Sequence, residues 1–257
     1  GEVGYHVRFD RKTGPDTRLE LVTEGMLLRR LQRDPLLEGI GCVILDEFHE
    51  RSLHADLTLA MLREVRQVRP ELGLVVMSAT LQTEQVQAYL DAPAVVSEGR
   101  TFPVDIEHVA PTDDIVRDVA RQVGRLMRDE DEGDVLVFLP GARSIRDTVS
   151  ALGGLRRELD IDVFPLYGAL SLDEQMRAID SDPARRRVVV ATNIAETSLT
   201  VEGVTAVVDA GKVKQLVVDP ASGLDRLELV QIAQDSADQR AGRAGRGRPG
   251  RAIRLWT

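Results

Sequence analysis

The chain has 257 residues, 43% of them hydrophobic and 29% charged, with 42 acidic against 33 basic side chains for a net charge of −9. That length holds one large or two ordinary domains with ample core, in the composition of a globular protein. The acidic balance argues against non-specific nucleic-acid binding by the whole surface, and no apolar run approaches the length of a membrane span. Gly1 to Asp10 is polar and irregular, unlike a signal peptide. Cys42 is the only cysteine, which excludes an internal disulfide and points to a reducing, cytoplasmic compartment.

In chain order, the first amphipathic segment is Glu24 to Gln32, read as a helix. Cys42 then precedes the apolar run Val43-Ile44-Leu45, and reads as a buried structural thiol. Four more runs follow: Leu74 to Met77, Val135 to Phe138, Val188 to Val190 and Ala206 to Val208. Continuous apolar strands of this kind suit a parallel sheet covered on both faces. Leu57 to Val68, Thr83 to Leu90, Ile115 to Arg128 and Ser171 to Ile179 read as the alternating helices of an α/β fold. Glycine and proline in Glu98 to Pro103 break the rhythm, which divides the chain into domains 1–103 and 104–257. Asp129 to Asp134 reads as a solvated acidic loop without a metal-ligand pattern. Lys212 to Val218 and Leu224 to Ile232 flank Asp219-Pro220-Ala221-Ser222-Gly223, which predicts a β-hairpin projecting from the second sheet.

Polar residues cluster directly after three of the apolar runs. Asp46-Glu47-Phe48-His49 follows the first; beyond a strand's carboxyl end, one carboxylate can hold magnesium and a second can deprotonate a water. The same pair would also suit the dipole of a helix N-terminus. Ser78-Ala79-Thr80 ends the second run, with Thr80 equally suited to cap a helix. Thr192 to Thr200 follows the fourth, either as a grip on sugar-phosphate backbone or as a plain turn. Gln239-Arg240-Ala241-Gly242-Arg243-Ala244-Gly245-Arg246 sets three arginines at three-residue steps, a pattern of rigid donor forks matched to phosphate oxygens.

Together, in this order, these residues resemble the motifs of superfamily 2 helicases, in the DEAH-box branch. Leu45 to Arg51 resembles the Walker B motif, with Phe48 where most of the branch has alanine. Ser78 to Thr80 resembles motif III, Val137 to Gly141 motif IV, and Tyr167 to Leu170 its companion. Thr192 to Thr200 resembles motif V and Gln239 to Arg246 motif VI. Thr23 to Leu27 resembles motif Ib, and Gly4 to Phe9 the segment before it.

The resemblance implies two RecA-like parallel-sheet domains, the first incomplete, driving RNA movement or unwinding with ATP and Mg2+. It places magnesium on Asp46 and the general base at Glu47. His49 and Ser78 would couple nucleotide state to strand movement, and Gln239 would position the water. Arg243 and Arg246 would be arginine fingers on the γ-phosphate, supplied across the cleft by the second domain. Ser198, Thr200 and Glu202 would approach water and ribose, with Glu202 where the branch commonly has aspartate. Thr23, Gly25 and Thr192 would touch RNA backbone, and the hairpin would be the strand-separating wedge.

Two departures qualify this picture. No Gly-x-x-x-x-Gly-Lys-[Ser/Thr] occurs; the only Gly-Lys, Gly211-Lys212, is followed by valine. The chain is therefore expected to be the central part of a longer protein, inactive alone. Met176-Arg177-Ala178-Ile179 has no aromatic residue for adenine to stack on, so other nucleoside triphosphates are expected to serve. The rival readings are a truncated RNA-binding or regulatory module and a DNA translocase of the same superfamily. The residues identify no protein partner.

Overall fold

All five apolar runs read from the sequence are strands in the structure, a computed structural model that describes residues 1–7, 9–78, 83–97, 102–130, 132–180, 185–196, 199–219 and 224–257. The chain divides into two units, Gly1–Ser97 and Glu98–Thr257.

The first unit opens with β1 (Val3–Val7), β2 (Asp10–Lys12) and β3 (Leu19–Val22), ordered β2-β1-β3. β1 pairs antiparallel with β2 and parallel with β3. The segment expected to be irregular thus contains a strand. Gly4 allows it: a Cβ there would press on the Lys12 carbonyl, so β1 and β2 meet closely only at a glycine. Helix α1 (Glu24–Arg33), β4 (Cys42–Leu45), α2 (Leu53–Val68), β5 (Gly73–Val76) and α3 (Thr83–Leu90) follow. β4 and β5 pair in parallel. The expectation that Cys42 is buried is wrong: it is exposed at the start of β4. Helix α2 starts one turn earlier than its apolar periodicity suggests. Ser52 caps it, accepting the Ala55 N–H at 2.9 Å, while Leu53 stays outside the apolar stripe. Ala55, Leu59, Leu62 and Val65 form that stripe and pack with Leu31, Leu37 and Leu72.

The second unit is a six-stranded parallel sheet. In chain order it comprises β6 (Val104–His108), α4 (Ile115–Asp129), β7 (Asp134–Phe138), α5 (Ala142–Ala151), α6 (Gly153–Leu159), β8 (Asp162–Leu166), α7 (Leu172–Ile179), β9 (Arg187–Ala191) and β10 (Val204–Asp209). The hairpin strands β11 (Lys212–Val218) and β12 (Asp225–Gln231), then α8 (Gln234–Gly242) and β13 (Gly250–Arg254), complete it. The sheet order is β6-β13-β10-β7-β9-β8. Every residue of β7, β9 and β10 is buried because both faces are covered. Val135, Val137, Val188, Val190, Ala206 and Val208 enter one core cluster. Leu136, Phe138, Val189, Ala191 and Val207 enter the other. That period of two sorts a continuous apolar run onto two faces.

The acidic loop is only partly solvated. Arg186 gathers the carbonyls of Met127, Glu130 and Gly133 at 2.9, 2.6 and 2.9 Å. Asp134 is buried, and its Oδ2 accepts from Arg187 Nε at 2.7 Å. β11 and β12 pair antiparallel from Lys212↔Gln231 to Val218↔Asp225, as expected, with residues 220–223 outside the described set. Among the described residues, no helix is long and apolar enough to cross a membrane.

Candidate active site

In the first unit, parallel pairing continues past β4. Leu45 O accepts from Met77 N at 2.8 Å, and Met77 O accepts from Phe48 N at 3.0 Å. These bonds hold Asp46 and Glu47 at the carboxyl end of the β4–β5 pair, where an α/β sheet receives ligands. Asp46 is exposed, and one of its oxygens accepts the Glu47 N–H at 2.8 Å. Glu47 takes φ 51° and ψ 35°, a left-handed conformation uncommon for a residue with a Cβ. The chain then closes a short 3-10 turn over Phe48–Glu50. His49 is folded back, its Nδ1 3.4 Å from Glu47 Oε2, with the side chain 7% exposed. Phe48 enters the core beneath the Arg51 guanidinium, 5.4 Å from the ring centroid.

Ser78 lies two residues beyond β5 at the same sheet end; Ala79 and Thr80 lie outside the described residues. Thr23 precedes α1, where its carbonyl accepts from Met26 N and Leu27 N at 2.9 and 3.0 Å and its side chain makes no capping bond. A Cβ on Gly25 would have open space around it, so packing within the chain does not require glycine there.

In the second unit, Thr192 continues β9, its N–H donating to Leu166 O at 3.1 Å. Residues 193–195 then form a short 3-10 turn. Ser198 lies outside the described residues. Thr200 Oγ1 accepts from Arg246 Nη1 at 2.9 Å. Glu202 is exposed, and its carbonyl accepts from Arg187 Nη2 at 2.8 Å.

Gln239 is half-buried on α8. The three arginines that follow differ sharply. Arg240 is 1% exposed, with Nε on Glu196 Oε2 at 2.7 Å and Nη1 on Asp209 Oδ1 at 2.9 Å. Arg243 is 6% exposed and donates to the carbonyls of Leu199, at 3.0 Å, and Glu196. Arg246 is exposed. Motifs V and VI are therefore stitched together by side-chain bonds. Sequence reasoning passed over Glu196, Asp209 and Arg240 as separate participants. The available signal was an aspartate directly after the buried run Ala206-Val207-Val208, whose charge requires a partner. Burial pushes the Asp209 carboxyl above the ordinary carboxylate range, against the opposing pull of Arg240 and the Gly211 N–H.

The parallel sheets, with acidic residues at a strand end in the first unit and the arginine motif in the second, place this chain among proteins of a helicase family. Residues 118–248, half of the chain, match the helicase conserved C-terminal domain, and the chain belongs to that family. It is HrpB-like: it is 48% identical to the ATP-dependent RNA helicase HrpB of Escherichia coli strain K12, across 98% of this chain and 32% of that protein. It is 40% identical to a probable ATP-dependent RNA helicase, the DHX35 homolog of Caenorhabditis elegans, across 99% of this chain and 37% of that one. The crystal structure of the Escherichia coli DEAH/RHA helicase HrpB superposes with a TM-score of 0.92 at 48% identity, covering 99% of this chain and 33% of that one. The chain thus spans about a third of the length of these relatives.

Proposed function

We propose that this chain supplies the motor of a nucleoside-triphosphate-driven RNA helicase acting in the cytoplasm. The observation that carries the reading is the Asp46–Glu47 pair at the carboxyl end of β4–β5, with Glu47 turned by its left-handed backbone against His49. In this reading a water oxygen attacks the γ-phosphorus and the bond to the β,γ-bridging oxygen breaks. Glu47 takes the water's proton, and Gln239 orients that water. Arg243 and Arg246 stabilise the charge spread over the transferring phosphoryl group.

Asp46 suits magnesium, which binds through one or two hard carboxylate oxygens and keeps several waters. Among the described residues, no group of three or more His, Cys, Asp or Glu side chains is placed to hold a metal. Held by Asp46, the ion would supply charge neutralisation for the phosphates. His49 and Ser78 relay the nucleotide state, while Ser198, Thr200 and Glu202 face water and ribose.

Thr23, Gly25 and Thr192 contact RNA backbone, where the open space at Gly25 and the uncommitted Thr23 hydroxyl of the cap leave room for phosphate. The β11–β12 hairpin separates strands. Met176 offers an aliphatic, 44% exposed surface to the base, so GTP, CTP and UTP serve alongside ATP. Without a Gly-Lys-[Ser/Thr] phosphate loop the 257 residues alone do not turn over nucleotide.

The test is RNA-stimulated hydrolysis by the full-length protein beside its Glu47→Gln variant. The variant is expected to bind nucleotide and lose turnover, since it keeps the shape and removes the base. Unchanged turnover would remove Glu47 from the mechanism. Stimulation by DNA alone would favour a DNA translocase.

A further inference from the structure

One buried guanidinium on α8 joins Glu196, in the segment after β9, to the root of the hairpin. Arg240 lies between Gln239 and Arg243 in sequence but faces the interior. Through Nε it holds Glu196, four residues beyond Thr192; the other carboxylate oxygen of Glu196 accepts the Ser236 hydroxyl from the first turn of α8. Through Nη1 it holds Asp209, the last residue of β10. The same Asp209 oxygen accepts the N–H of Gly211 at 2.8 Å.

Gly211 is where the chain leaves the sheet for the hairpin. It has φ +69°, and a Cβ there would overlap the Trp256 ring. Its carbonyl accepts the N–H of Ile232 at 3.0 Å, closing the root from the returning strand. The hairpin base is therefore gripped by one aspartate, and that aspartate is gripped by Arg240.

We propose that Arg240 is a positioning residue that transmits the state of the 193–196 turn, through Glu196, to the β11–β12 hairpin. The inference rests on the helicase reading above. A relay needs a contact with two arrangements. Asp209 Oδ2 is buried and has no hydrogen-bond partner among the described residues, so the carboxylate keeps an acceptor in reserve. A small shift of α8 can exchange the single Arg240–Asp209 bond for a two-bond fork, which alters the hold on Gly211 without stranding a charge. The guanidinium also lies over the Phe138 ring, 4.9 Å from its centroid, so it moves with the sheet and does not swing freely.

The experiment compares full-length wild type, Arg240→Lys and Asp209→Asn. RNA-stimulated hydrolysis and separation of an overhang-bearing RNA duplex are measured on the same samples, and the readout is strands separated per triphosphate hydrolysed. Lysine keeps the charge but cannot span both carboxylates with a planar fork. Asparagine keeps the size and an acceptor for Gly211 but weakens the hold of Arg240. Each variant is expected to lower the ratio about tenfold, the scale of strong coupling within one polar network. A ratio at the wild-type value, with hydrolysis and separation falling together, would mean that Arg240 only supports the fold, and the relay is overturned. Asp209→Asn, nearly isosteric, decides the matter if Arg240→Lys does not fold. A wild type that neither hydrolyses nor separates overturns the helicase reading itself, and the relay with it.

Discussion

Arg240, Arg243 and Arg246 are chemically identical and evenly spaced, yet each has its own surroundings. Positions three apart on a helix share a face, so Arg240 and Arg243 both turn inward; Arg246 lies past the end of α8 and its following 3-10 turn. Arg243→Ala and Arg246→Ala are each expected to reduce hydrolysis by about 10³-fold in steady-state assays of the full-length protein. They should differ in stability. Losing Arg243 also leaves two part-buried carbonyls without its bonds, at up to about 1 kcal/mol each, whereas losing Arg246 frees only an exposed hydroxyl. Equal urea midpoints would contradict that difference. Arg187 makes four side-chain bonds to described residues, to Asp134 and to the carbonyls of Ala178, Asp180 and Glu202. Arg187→Ala should cost about 3–5 kcal/mol in urea unfolding, because it leaves a buried carboxylate unpaired. None of this was visible in the sequence, which shows where an arginine lies but not which way it faces.

Elements were legible where apolar residues run continuously. β7, β9 and β10 announce themselves because both of their faces are buried. The hairpin was legible from its Pro-Gly loop between β-rich runs. Helix α8 was not, since Gln234 to Gly242 has no large apolar side chain and is held instead by Arg240 and Ser236. β1 and β2 escaped notice because their pairing depends on a glycine contact rather than an apolar pattern. At this scale Gly211→Ala is a sharp test. It forces a left-handed residue to carry a Cβ against Trp256, and should destabilise by about 1–3 kcal/mol in thermal unfolding. An unchanged melting temperature would mean that the hairpin root is loosely held.

For the whole second unit, acid should be destabilising. The Arg125 guanidinium holds the Glu107 carboxyl below its ordinary range, and Arg254, with help from Gln234, does the same for Asp238. Both groups are partly exposed, so each contribution is screened. Their stabilisation is present above the ordinary carboxylate range and is lost as pH falls through the depressed values. Asp209 has the opposite sign: its raised value favours folding at low pH, and that contribution fades as pH rises through it. The Ser171 hydroxyl also lowers exposed Glu174, so with three lowered carboxyls against one raised among the described residues, urea midpoints should fall between about pH 5 and pH 2. Asp238→Asn should flatten part of that slope. The covered sheet also sets a hierarchy of opening. Amide protons of β7, β9 and β10 have no solvent-facing side, so they should exchange with deuterium only when the whole unit unfolds. Those of β11 and β12, paired only with each other, should exchange orders of magnitude sooner. The hairpin can thus fray and re-form many times within the lifetime of a single folded core.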